Sequence, residues 1–115
     1  VREGFVVSAL TVTDATCTCT AVASPDADFF DGHFPGDPVL PAVAQLSGLV
    51  EPVAQRAWPS LGPLVGASQL KFHRVCRPGE TLALRCDRAG RSVRFTLHVG
   101  DTLASAGALT FGGDP

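Results

Sequence analysis

Residues 29–41 read FFDGHFPGDPVLP, and one histidine, His33, sits inside this dense run of glycine and proline. Proline fixes its own φ and has no amide donor, so the run suits neither a helix interior nor a central strand. It reads as a rigid loop that holds one imidazole in place. The unperturbed pKa of histidine lies closest to neutral of any side chain, which makes a fixed imidazole a natural general base. Asp31 and Asp37 flank the histidine and suit turn and cap positions.

Working outward from the loop, the N-terminal side carries two strand patterns. Residues 4–12 are rich in Val, Phe and Thr, and residues 16–22 (TCTCTAV) alternate, with a turn at Thr13-Asp14-Ala15 between them. On the other side Pro41 opens a helix that runs to about Ala57, with Val43, Leu46, Val50, Val53 and Ala57 at helical spacing. Pro59 and Gly62-Pro63 end it. Four further strands are expected at 64–75, 82–87, 92–99 and 103–111, with turns at 77–80, Ala89-Gly90 and Gly100-Asp101. Two strands, one helix and four strands predict an α+β domain over residues 1–115, the helix packed on one curved antiparallel sheet. The helix is apolar on more than one side, since Ala44 and Leu49 lie off the Val43–Leu46 face, and this predicts a dimer.

The composition is that of a globular chain, 45% apolar and 17% charged. The longest apolar stretch, 39–53, is interrupted by prolines, Gln45, Ser47 and Glu51, so no membrane span is expected. The opening VREGFVV lacks a secretory pattern, and a cytoplasmic location is expected. A formal charge of -2 argues against nucleic acid as a partner. Cys17, Cys19, Cys76 and Cys86 match no zinc spacing and read as reduced, structural residues. No metal site is predicted, and neither a phosphate-binding glycine loop nor a nucleophile elbow is present.

Three features together carry a resemblance: GHFPGDPVLP at 32–41, the helix behind it, and LKFHRVCRPGETL at 70–82. The chain resembles the β-hydroxyacyl-acyl-carrier-protein dehydratases of the hotdog fold, in particular the small stand-alone dehydratases of aryl-polyene and related polyketide-like pathways. The resemblance implies a sheet of about six strands around one helix, in a dimer with two sites between subunits. It implies a substrate carried as a 3-hydroxyacyl thioester on the phosphopantetheine arm of an acyl carrier protein, with no metal or diffusible cofactor. His33 would remove the C2 proton, and the Val39 carbonyl would orient its ring. The residue 42 amide would hold the thioester oxygen, and Phe34 and Gly36 would contact substrate; Phe29 and Phe30 would join Phe34 in lining an acyl tunnel. Among the basic residues of the β half, Arg74 and Arg77 would form a landing patch for the carrier, while Lys71, Arg85 and Arg88 read as a solvated sheet edge.

The sequence departs from that family at two positions. Ala42 replaces the glycine at the oxyanion amide, and Ser47 stands fourteen residues after His33, where the family has its proton-donating carboxylic acid. Serine is far too weak an acid for that role, although its hydroxyl can hold the substrate hydroxyl or a water. Glu51 lies one helical turn later and is the alternative acid within this chain. A third route follows from the shared site: a related hotdog chain, in a heterodimer, supplies the acid while this chain supplies His33. Two competing functions use the same frame, an acyl thioesterase relying on Glu51 and a non-catalytic partner subunit. His73 and His98 read as structural strand residues.

Overall fold

The computed structural model describes residues 5–23, 42–77 and 79–112. Six strands form one sheet: β1 (Phe5–Val12), β2 (Thr16–Ala23), β3 (Leu64–Phe72), β4 (Thr81–Ala89), β5 (Ser92–Val99) and β6 (Thr102–Phe111). Their order across the sheet is β1-β2-β4-β5-β6-β3, and every pairing is antiparallel. With the helix Ala42–Ala57 between β2 and β3 this is the hotdog fold expected from the resemblance.

The alternation in TCTCTAVA sets the inner face. Cys17, Cys19, Ala21 and Ala23 are buried on one side of β2, while the intervening threonines and Val22 are half-buried on the other. Leu82, Leu84 and Cys86 of β4 continue that face, and Val93, Phe95 and Leu97 of β5 extend it. Small side chains on β2 let the helix approach closely, and larger ones fill the cup further along.

Both edge strands are irregular. β1 shifts register between Ser8 and Thr11, and β3 does so between Ser68 and Lys71. Among the described residues, Ala9 at φ 56° and Gln69 at φ 55° are the positive-φ residues other than glycine, and each sits in one of these bulges. A bulge twists an edge away from flat pairing.

The central helix runs without a break from Ala42 to Ala57 but changes pitch. Ala42–Gln45 is α-helical (α1), Leu46–Val50 is a π turn, and Glu51–Ala57 is α-helical again (α2). The Glu51 amide reaches back to the Leu46 carbonyl, a spacing of five residues. Pro52 gives the physical reason. It has no N–H to offer the Gly48 carbonyl four residues back, and its ring crowds that carbonyl, so the preceding turn widens.

The far end of the helix is firmly tied. Trp58 is buried, and its indole Nε1 donates to the Thr13 carbonyl at 2.9 Å, joining the helix end to the β1–β2 turn. Gln55 Nε2 donates to the Gly62 carbonyl at 2.7 Å, and the Arg88 guanidinium lies 5.9 Å from the Trp58 ring centroid. A 3-10 turn, Pro59–Leu61, then leads toward β3.

Two boundaries depart from the sequence expectation by more than one residue. β3 ends at Phe72 rather than 75, because the His73 and Arg74 amides both turn to the Ala104 carbonyl, at 2.7 and 3.2 Å. His73 therefore lies just past the strand and is exposed, whereas His98 is in β5 as expected. β4 runs on to Ala89, two residues past the expected end, through a continuous ladder with β5. Among the described residues no helix is long and apolar enough to cross a membrane.

Candidate functional site

His33, Phe34, Gly36 and Val39 lie outside the described residues, as do Phe29, Phe30, Asp31 and Asp37. The described part of the candidate site is the N-terminal half of the central helix. Ala42 is its first residue. The first-turn amides of any helix have no intrahelical acceptor and carry the positive end of the dipole, so this end suits a developing oxyanion.

Ser47 sits in the π turn and is exposed, as is Gly48 beside it, while Leu49 and Val50 are fully buried. The π turn thus bows outward at 47–48 and is pinned inward at 49–50. A Cβ at Gly48 would stand 3.2 Å from the Phe5 ring of β1, a tight contact that the glycine avoids. Glu51 follows at the end of the π turn and is half-buried. No hydrogen bond joins Ser47 to Glu51 among the described residues. The helix carries no other carboxylate within Ala42–Ala57.

One residue on this helix escaped the sequence reading. Gln45 is buried at 3% exposure, and its side-chain oxygen accepts a 3.0 Å hydrogen bond from the hydroxyl of Ser105, itself fully buried in β6. These two are the buried polar residues of the described core. A glutamine two residues before the site position, on the opposite side of the turn, was the available signal.

Arg74, expected as a carrier contact, is engaged elsewhere. It grips Glu80 with both guanidinium nitrogens, at 3.1 and 2.7 Å, and also donates to the Val75 carbonyl at 3.0 Å. Glu80 in turn accepts from the Arg77 amide at 2.7 Å. The Gly79 amide donates to the Ala23 carbonyl at 3.0 Å, fixing this turn to the end of β2. Arg74 clamps this turn, and its hydrogen bonds hold the Glu80 carboxyl below the usual range. Arg77 is exposed on the same turn. Lys71 and Arg94 instead flank an open cleft of about 540 Å³ over β6, floored by Phe95, Ala106 and Gly107.

The four cysteines are buried and unbridged. Burial pushes the Cys19 thiol up to about 11 and the Cys76 thiol upward, and the bond to Cys17 together with burial does the same for Cys86. The Cys17 thiol goes the other way, lowered by its hydrogen bond with Cys86 against the effect of burial, and all four side chains serve as core. Among the described residues no cluster of His, Cys, Asp or Glu is arranged to hold a metal ion.

The ApeI-like family, described as ApeI dehydratase, matches residues 9–108. A 3-hydroxyacyl-[acyl-carrier-protein] dehydratase FabZ of Levilactobacillus brevis is 32% identical over 105 residues, covering 82% of this chain and 71% of the relative. The FabZ of Chloroflexus aggregans is 36% identical over 101 residues, covering 78% and 70%. In structure, the chain superposes on the dehydratase heterocomplex ApeI:P of Xenorhabdus doucetiae with TM-score 0.82 and 26% identity, over 91% of this chain and 95% of that one. Thioesterase superfamily member 2 of Mus musculus shares the fold at TM-score 0.66 and 13% identity, with 95% and 81% covered. A match over this much of the chain, to dehydratases in both sequence and structure, means that the chain belongs to the ApeI-like dehydratase family.

Proposed function

We propose that this chain eliminates water from a 3-hydroxyacyl thioester on an acyl carrier protein, paired with a related hotdog chain that supplies the acid. The observation that carries the reading is Ser47, a non-acidic residue exposed on the π turn at the position where the resemblance expects a proton donor, in a chain whose residues 9–108 match the ApeI-like dehydratase family.

In this reading His33 takes the C2 proton, and the electron pair moves onto the thioester carbonyl. The helix amides around Ala42 stabilise that oxygen. The pair then returns to form the C2=C3 double bond as the C3–O bond breaks. The departing hydroxyl takes a proton from the partner's acid and leaves as water, giving a trans-2-enoyl thioester. At the dimer's other site Ser47 occupies the acid position and leaves that site without a proton donor. Glu51, one turn on and half-buried, is the alternative acid within the chain. The reaction as drawn uses no metal or diffusible cofactor.

Pairing is supported by β3, an edge strand with Val65, Leu70 and Phe72 exposed, and Val75 exposed just beyond it. A resemblance to a dehydratase heterocomplex fits a partner of the same fold. Lys71 has no ionic or hydrogen-bonding partner among the described residues, and with Arg94 at the β6 cleft it suits an acidic carrier better than Arg74 does. We place the chemistry in the cytoplasm, in fatty-acid or polyketide-like synthesis.

Mass spectrometry of 3-hydroxyacyl carrier protein tests the reading. Incubation with this chain plus a related hotdog chain is expected to show loss of one water, with little conversion by this chain alone. Release of the whole acyl group would instead identify a thioesterase. Full activity of the purified chain alone would overturn the split site.

A further inference from the structure

The core holds four thiols that the proposed chemistry does not use, and two of them face each other. Cys17 of β2 and Cys86 of β4 are register partners, both fully buried on the inner face. The Arg88 amide donates to the Ala15 carbonyl at 2.7 Å, which makes Ala15 and Arg88 a hydrogen-bonded pair. Such pairs alternate along an antiparallel ladder, so Cys17 and Cys86, two residues further in, are another. Opposed residues of this kind hold their Cα atoms about 5.5 Å apart, the commonest spacing across a disulfide. Cys19 faces Leu84 instead and is diagonal to Cys86, about 7–8 Å away, beyond bridging distance. Cys76 lies outside the ladder, between β3 and β4. The two facing thiols also share a hydrogen bond, which holds the Cys17 thiol below its ordinary pKa and pushes Cys86 up. One sulfur is thereby set to attack and the other to resolve.

We infer that Cys17 and Cys86 form a reversible disulfide with peroxide as the oxidant, a staple between β2 and β4 under oxidising conditions. The Cys17 thiolate attacks one peroxide oxygen, the O–O bond breaks, and the departing hydroxide takes up the thiol proton as water. Cys17 is left as a sulfenic acid. The Cys86 sulfur then attacks the Cys17 sulfur, the S–O bond breaks, and a second water carries off the Cys86 proton. Two thiols are oxidised and one hydrogen peroxide is reduced. Peroxide is small, and Cys17 is the second residue of β2, beside the turn, where strands open at least cost. Closing the bond draws the two Cβ atoms in from about 4.5–5.5 Å to about 3.8 Å, and that strain keeps it reducible by thiols. The closed loop holds the whole central helix and β3, so the staple constrains the unfolded chain. A bond that thiols can reverse suits a reducing compartment, where disulfides are transient.

The test treats the reduced, folded chain with hydrogen peroxide, blocks the remaining thiols with N-ethylmaleimide in denaturant, and maps the peptides by mass. Two of the four thiols are expected to disappear into one Cys17–Cys86 link within a single chain, and dithiothreitol should restore them. The Tm of the linked chain is expected to rise by about 5 °C or more over that of the reduced chain. Cys19→Ala and Cys76→Ala should form the same link, while Cys17→Ala and Cys86→Ala should form none. The map of the unmodified chain decides even where an alanine variant folds poorly. Four thiols that survive peroxide until the chain unfolds overturn the inference. So does a link through Cys19 or Cys76, a link between two chains, oxidation of Cys17 to a sulfinic acid without a link, or a linked chain whose Tm does not rise.

Discussion

The two ends of the central helix are held by different means. At its C-terminal end Trp58 fills the core, donates to Thr13 at 2.9 Å and carries Arg88 on its ring, while Gln55 closes onto Gly62 at 2.7 Å. At its N-terminal end Pro52 has opened a π turn, Ser47 and Gly48 are exposed, and the bond to Ser105 reaches in from Gln45. The closed end holds the fold together; the loosened end is where the chemistry is expected. A helix that were uniformly packed would have no turn free to meet a substrate.

The largest expected effect comes from breaking the closed end. Trp58→Ala removes a buried aromatic and orphans the Thr13 carbonyl, and is expected to cost about 3–5 kcal/mol in urea-monitored unfolding. The kcat of the remaining folded protein is expected to hold within twofold. A kcat that collapses while the protein stays folded would erase the division between the two ends.

The next effect is at the open end and has the opposite sign. Ser47→Glu places a carboxylic acid where the proposed function expects the proton donor, on an exposed turn. General acid catalysis typically contributes 10²–10⁴-fold, so this chain on its own is expected to gain at least about a hundredfold in dehydration rate. The assay is the appearance of enoyl thioester with no partner chain added. No gain would mean that the split site is not the reason for the serine.

How much of this was readable beforehand differs between the two ends in the same way. The strand pattern in TCTCTAV and the apolar spacing from Leu46 to Ala57 gave the sheet and the helix, because periodic burial writes itself locally. Ser47 was found by its separation from His33 within a resembling motif. The π turn was hidden because one wide turn hardly disturbs an apolar stripe, though Pro52 inside the helix was its local trace. The Gln45–Ser105 bond spans 60 residues of sequence and the Trp58–Thr13 bond spans 45, and no local pattern reports either. Arg74 looked like a free cation for the same reason. Its partner Glu80 lies across a turn whose geometry sequence does not reveal.

The smallest effect sharpens the contrast by chemistry rather than by position. The clamps on Trp58 and Gln55 are neutral hydrogen bonds, whereas the turn held to Ala23, at the end of β2, depends on the Arg74–Glu80 ion pair. The folded-state pKa of Glu80 is lowered, first by its hydrogen bonds from Arg74 and then by the Arg77 amide against a desolvation penalty. A carboxylate with a depressed folded pKa contributes its stability in full above its unfolded value and loses it as pH falls through the folded one. Solvent reaches both partners, with side chains 37% and 23% exposed, so the pair contributes little to stability. Glu80→Gln is therefore expected to lower Tm slightly at neutral pH, and the difference from the unmodified chain should close as the solution is acidified below the ordinary glutamate range. Trp58→Ala should show a gap that does not close in the same titration. If the Glu80→Gln gap also persists in acid, the turn is held by packing, and the ionic character assigned to this end is wrong.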